Sequence, residues 1–281
     1  MGCNLCPNSC NVDRAITLGK CKSSYDMIIN RVAPHHYEEP PISGTRGSGT
    51  IFFGGCILKC DYCQNVEISR EPKGRIYTPY ELSEAIRELE DCGVHNINFV
   101  TPTHHSDSIK RALDIYKPSI PTVYNCGGYE RAEIIAGLKG YIDIFLPDFK
   151  YSDNALAEKF SHIKNYAEHA ERAIETMLNQ TTDTFSGAGI MQSGVIVRHL
   201  VLPSYVQNSL GVLDILHRIK ARTVSVMSQF TPMPACKELG RTLKPIEYKI
   251  IANHAETLNF SDIFIQEAAS AATDYIPEFY K

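Results

Sequence analysis

Gly49-Thr50-Ile51-Phe52-Phe53-Gly54-Gly55-Cys56-Ile57-Leu58-Lys59-Cys60-Asp61-Tyr62-Cys63 joins a short apolar run to three cysteines spaced C-x3-C-x2-C. The run reads as a strand, and the cysteines crowded behind it as a metal-binding loop. Zinc usually takes its ligands as two short-spaced pairs, yet residues 64–91 contain neither Cys nor His to complete one. A cubane iron–sulfur cluster normally takes four thiolates. Three from one tight loop leave one iron open to a molecule that reacts.

Beyond this stretch, strand-like and helix-like segments alternate. Thr78-Pro79-Tyr80-Glu81 is a capping box with proline at the first helical position. Leu82, Ala85, Ile86 and Leu89 follow at helical spacing, and Gly93 closes the helix. Further strands are predicted over 96–101, 121–125, 141–146, 195–202, 223–230 and 262–265. Helices are predicted over 109–116, 129–138, 155–179, 211–219 and 245–258. Residues 25–48, broken by Pro34, Pro40-Pro41 and Gly44-Thr45-Arg46-Gly47-Ser48-Gly49, read as an irregular connector, and 183–194 as a flexible loop. Strands separated by helices of this length pair in parallel through right-handed crossovers. Six or seven such units fit an α/β fold, a partial (β/α)6 barrel, with a doubly wound open sheet as its competitor. The chain thus divides into a cysteine-rich head and connector over 1–48 and a barrel over 49–281.

The 281 residues suit one large domain plus an appendage. Hydrophobic residues make up 43% and charged residues 21%, the balance of a soluble globular chain with a sizeable core. The net charge of -4 and the absence of a Lys/Arg run argue against a nucleic-acid partner. Apolar stretches are strand-sized, short of the ~20 residues that a membrane span needs. No basic segment followed by an apolar one opens the chain, so no export signal is read. Gly2 with Cys6 in place of Ser or Thr does not fit myristoylation. Ten cysteines without an export signal point to metal chemistry in a reducing cytoplasm.

Polar clusters fall at the C-terminal ends of the predicted strands, where parallel α/β folds keep their active sites. Thr101-Pro102-Thr103-His104-His105 follows the second strand, Asn125-Cys126-Gly127-Gly128 the third and Asp148-Phe149-Lys150 the fourth. Arg198 and His199 lie in the fifth, and Gln229 ends the sixth. A lysine in a barrel mouth is costly unless paired or solvated. His104, His105 and Cys126 are the catalytic candidates. Against that role stands a reading in which both imidazoles are solvated on a loop and Cys126 fills a tight turn. Cys92, beside Leu89, reads as core. Cys236 takes no assignment.

The loop Gly55-Cys56-Ile57-Leu58-Lys59-Cys60-Asp61-Tyr62-Cys63 resembles the cluster loop of the radical S-adenosylmethionine (SAM) enzymes. Asp148-Phe149-Lys150 is similar to a stretch of pyruvate formate-lyase activating enzyme, as is Val195-Ile196-Val197-Arg198-His199-Leu200-Val201-Leu202-Pro203. Cys3-Asn4-Leu5-Cys6-Pro7, Glu38-Glu39-Pro40 and Gly128-Tyr129-Glu130 extend the resemblance, to a branch related to that enzyme, over nearly the whole chain. It implies that Cys56, Cys60 and Cys63 hold a [4Fe-4S] cluster whose open iron takes the amino and carboxylate groups of SAM. It also implies that Tyr62 contacts the adenine, and that Lys150 and Arg198, with Asp148, Asn125 and Gln229, complete the cofactor site. Where the family usually carries Gly-Gly-Glu for the amino group, this chain has Thr101 and Thr103, which are assigned that role. The activity implied is reductive cleavage of SAM to a 5′-deoxyadenosyl radical that abstracts hydrogen from a substrate. An electron donor such as flavodoxin or ferredoxin is implied with it.

Cys3, Cys6, Cys10 and Cys21 place four thiols within residues 3–21, a spacing that matches either a zinc site or a second iron–sulfur cluster. Three functions are compatible with these residues. The first is activation of a glycyl radical enzyme, expected from the Asp148, Lys150 and Arg198 match. The second is radical chemistry on a small molecule or other substrate, suggested by the head and the histidine pair. The third is a non-catalytic electron-transfer module that uses both cysteine sets.

Overall fold

The run ahead of the cysteines is a strand. In the computed structural model, which describes residues 2–266 and Phe279, Ser48–Phe53 is extended and buried at every position, as a strand covered on both faces must be. In chain order the strands are β1 Met27–His35, β2 Ser48–Phe53, β3 Arg75–Tyr77, β4 Ile97–Val100 and β5 Thr122–Cys126. There follow β6 Ile144–Pro147, β7 Thr184–Phe185, β8 Met191–Leu200, β9 Thr223–Met227 and β10 Asp262–Ile265. The helices are α1 Pro40–Ser43, α2 Val66–Arg70, α3 Pro79–Asp91, α4 Ser106–Ile115 and α5 Ala132–Ala136. α6 Asn154–Ser161, α7 Tyr166–Gln180, α8 Val206–Arg218 and α9 Pro245–Thr257 complete them.

Strands β2, β4, β5, β6, β8, β9 and β10 neighbour one another in that order, each pair parallel. A doubly wound sheet reverses its strand order at the middle. This one never reverses, so successive crossovers of one hand carry the helices round a single side. The arc stays open, because β10 ends it on one side and β3 on the other. The architecture is therefore the partial barrel, with β10 adding a seventh parallel strand, and the open-sheet competitor is excluded.

Four local expectations are corrected. The connector over 25–48 contains a nine-residue strand, β1, which runs antiparallel to β2 with His35 opposite Ser48. The loop over 183–194 is a β-hairpin, with β7 folded back on the start of β8. The helix expected over 155–179 is two helices, α6 and α7, parted where His162 and Asn165 take left-handed backbone. Cys92 caps α3 on its exposed side rather than entering the core. Among the described residues, no helix is long and apolar enough to cross a membrane.

Candidate functional site

The cysteine loop is fixed by its neighbours before any ligand arrives. Gly55 leaves β2 with a φ of 83°, and a Cβ there would strike the Cys21 carbonyl and the Ser23 hydroxyl of the head. Arg70 of α2 donates to the carbonyls of Lys59 and Cys60 and to the Asp61 carboxylate, at 2.6, 3.1 and 3.0 Å. The Asp61 amide donates to the Phe160 carbonyl at 2.8 Å. From the head, the Asn8 side-chain amide donates to the Ile57 carbonyl at 2.8 Å. Cys60 Sγ lies 2.9 Å from Ser161 Oγ and Cys63 Sγ 3.4 Å from Ser69 Oγ. All three thiols line one end of a cavity of about 750 Å³.

Burial pushes the Cys56 thiol up to about 12, and the neighbouring Cys60 and Cys63 add to the rise. Burial raises Cys60 as well. Two thiols that resist ionisation, crowded beside a third, are a poor arrangement unless a metal removes their protons, since a coordinated thiol is deprotonated outright. The donor set therefore fits a cationic cluster. Among the described residues, no three Cys, His, Asp or Glu side chains converge on a site for a single ion. A cubane seats each thiolate on its own iron, so convergence on one point is a demand of zinc and not of a cluster. The head's four thiols do not close into a single-ion cage as the chain stands, although a Cβ on Gly19 would meet Cys21 Sγ at 3.3 Å and Cys10 Sγ at 3.5 Å.

Charged residues from three segments, joined by Asn125 of β5, meet in the same cavity. Asp148 and Lys150 lie two residues apart just past β6, and their side chains pair at 2.6 Å. From β8, Arg198 reaches Asp148 at 2.9 Å, Asn125 Oδ1 at 2.6 Å and Glu38 at 3.0 Å. Burial opposes ionisation of Asp148, but Arg198 and Lys150 outweigh it and hold the carboxyl below the usual range. Burial would lower Lys150, but Asp148 carries it up to about 12. Both cations are thus engaged by acceptors within the protein.

Glu38 and Glu39 were not read from the sequence as site residues, yet both line the cavity. Glu38 accepts from Asn98 and Asn125 at 3.2 and 3.0 Å besides Arg198. Burial nevertheless raises its carboxyl above the usual range. Burial lifts Glu39 to about 7 against the pull of Arg198, with Glu38 adding to the rise. In the sequence they are an acidic pair beside two prolines that extends the family resemblance but lies in a segment taken for a connector.

The remaining sequence-read residues separate into two groups. Thr101, Thr103, Asn125, Cys126 and Gln229 line the cavity. Thr101 holds a φ of 60°, a strained conformation for a β-branched residue. Thr103 donates its hydroxyl to Glu130 at 2.6 Å. Cys126 is buried in the turn completed by Gly128, whose φ is 77° and whose Cβ would collide with the Asp148 carbonyl. Tyr62 lines the cavity but directs its hydroxyl to Tyr151 at 2.6 Å, with its ring against Phe160 and Phe230.

His104 and His105 form the other group. They are buried, they do not line the cavity, and their rings lie 4.4 Å apart, with His105 against Phe53. His104 shares a hydrogen bond with the Gly54 carbonyl at 2.9 Å, and burial drops its pKa to about 4. Burial also lowers His105, and His104 beside it lowers it further. Neither the solvated loop nor the cavity-facing pair expected from the sequence is found. Both rings instead pack at the end of β2, while the His104 main-chain carbonyl accepts from Arg14 of the head at 2.6 Å.

Comparison with known proteins agrees with this arrangement. The profile of the Radical SAM superfamily matches residues 50–191, which span the cysteine loop and the strands on which Asn125, Asp148 and Lys150 stand. An uncharacterized protein of Methanocaldococcus jannaschii, MJ0674, is 32% identical over 268 residues, covering 90% of this chain and 73% of its own. The fold is similar to that of methylornithine synthase (PylB), with a TM-score of 0.53 and 14% identity over 83% of this chain and 64% of that one. It is also similar to SuiB of Streptococcus suis bound to its precursor peptide SuiA, with a TM-score of 0.53 and 11% identity over 74% of this chain. The chain spans about half of SuiB, 46% of its length. With three thiols on one cavity wall, a singly wound barrel and the matching profile, the chain belongs to the radical SAM superfamily.

Proposed function

We propose that this protein binds a [4Fe-4S] cluster on Cys56, Cys60 and Cys63 and SAM in the cavity beside it, and abstracts hydrogen from a polar substrate group reaching into that cavity. When bound, the cluster supplies the electron that cleaves SAM, and the carbon radical so released removes the hydrogen atom. The observation that carries this reading is the cavity itself, with thiols at one end and Lys150 and Arg198 held among Asp148, Glu38 and Glu39 facing them. Lys150 offers positive charge to the SAM carboxylate, and Arg198 fixes Asp148, which holds the lysine in place. Thr101 and Thr103 present hydroxyl oxygens to the SAM ammonium, and Tyr62 stiffens the loop next to the adenine. Anaerobic reconstitution should give about four iron and four sulfide per loop, and SAM should change the electron paramagnetic resonance of the reduced cluster. A signal indifferent to SAM contradicts the reading.

A second reading, activation of a glycyl radical enzyme, is favoured by the Asp148, Lys150 and Arg198 match. It requires a peptide loop of the partner to enter the cavity. Incubation with a candidate partner should then leave a radical on that protein, and SAM consumption without any partner radical rejects it. The head is read as a second metal carrier, of zinc or of iron and sulfide. A variant lacking Cys56, Cys60 and Cys63 should still retain metal, and a metal-free variant contradicts that assignment. A small electron-carrier protein such as flavodoxin or ferredoxin is the expected reductant.

A further inference from the structure

We propose that the floor of the cavity, through Glu39 supported by Glu38, binds a protonated amine or guanidine group of the substrate. This rests on the functional reading above and names its substrate class. The cysteines follow the C-terminal end of β2, whereas β1 is antiparallel to β2 and brings His35 opposite Ser48, at the other end. The segment after His35 therefore enters the barrel from the end remote from the thiols. Glu38 reaches Asn98, the second residue of β4, which is well inside the barrel.

Three carboxyl groups meet two cations here. Arg198 and Lys150 are already taken by Asp148, and Arg198 by Glu38 as well. Glu39 is the surplus. It is 8% exposed and lines the cavity. Its Oε2 has no hydrogen-bond partner among the described residues, and the nearest guanidinium nitrogen, on Arg198, is 3.8 Å away. A buried carboxylate oxygen that accepts no hydrogen bond and has only a distant, shared cation is costly, and a ligand that brings its own positive charge and N–H donors removes the cost. The SAM ammonium is the other source of such a group. SAM must reach the iron at the thiol end, which leaves the floor to the substrate.

The test titrates n-hexylamine and n-hexylguanidine, each against 1-hexanol as neutral match, into the reconstituted protein with and without saturating SAM. Wild type should prefer either cation over the alcohol by at least roughly tenfold, with SAM present as well as absent. Glu39→Gln should abolish this preference while leaving the affinity for SAM unchanged, and Glu39→Asp should preserve it. The amine-to-alcohol ratio is unaffected by a general folding defect. Equal affinity for amine and alcohol, binding of neither, or a preference that survives Glu39→Gln overturns the proposal. Loss of the preference when SAM is added shows that the group bound was the site of the SAM ammonium, and also overturns it. Failure of wild type to bind SAM overturns the functional reading instead, and the SAM-free comparison still reads the floor.

Discussion

Arg198 is held by Asp148, Glu38 and Asn125 at once, and removing it leaves the buried Glu38 without its cation, while Asp148 keeps Lys150. Breaking a buried ion pair from one side costs about 3–5 kcal/mol. Arg198→Met should therefore lower the unfolding free energy by about 3 kcal/mol or more in a denaturant titration, and a loss below ~1 kcal/mol contradicts this network. Glu130 gives a pH signature. It is fully buried, and burial pushes it up to about 8 from its ordinary 4.5 despite the hydrogen bond from Thr103. A carboxyl whose folded pKa is raised binds its proton more tightly in the folded state. The stability it contributes is complete below about pH 4.5 and is lost as the pH rises through about 8. Against Glu130→Gln, wild type should lose on the order of 3 kcal/mol between pH 5 and pH 8. Urea unfolding at the two values measures it, and a constant difference between the two proteins contradicts the buried, proton-binding Glu130.

At the scale of elements, α3 shows how much can be read from a local pattern. Thr78 Oγ1 accepts from the Glu81 amide at 3.2 Å, and the Glu81 carboxylate accepts from the Thr78 amide at 2.9 Å. Thr78→Ala should cost about 1 kcal/mol of stability, measured by thermal unfolding, and no change contradicts the cap. The buried parallel strands were legible for the same reason, since apolar runs bounded by breakers need no partner to be recognised. β1 was not. Only Met27 and Ile29 of its nine residues are buried, and Asn30, Arg31, Pro34 and His35 break any alternation, because it covers β2 from the edge of the arc. The break between α6 and α7 lay hidden in a continuous helical composition, as His162 and Asn165 are ordinary helix residues in left-handed conformations. The site divides likewise. Cys56, Cys60, Cys63, Asp148 and Lys150 follow strands and Arg198 lies within one, so they were read from chain order, whereas Glu38 and Glu39 arrive through the missed strand. His104 and His105 are buried against Gly54 and Phe53, about fifty residues earlier in the sequence, and meet the head through the Arg14 bond to the His104 carbonyl.

The whole molecule is a barrel with its head clamped over the cluster loop. Arg14 is 2% exposed and donates to the carbonyls of Ser23, Ser24 and His104, while Asn8 holds the carbonyl of Ile57. Arg14→Ala should release the head and speed its cleavage in limited proteolysis at least roughly tenfold, leaving the barrel intact. Equal rates contradict the clamp. The superfamily assignment turns on three sulfurs acting together on one cavity, and its most direct test is chemical. Reconstituted without oxygen and given a reductant and SAM, wild type should form 5′-deoxyadenosine, and Cys60→Ala should form none. A wild type that takes up iron and sulfide yet leaves SAM whole would contradict the account and return the chain to the class of simple electron carriers.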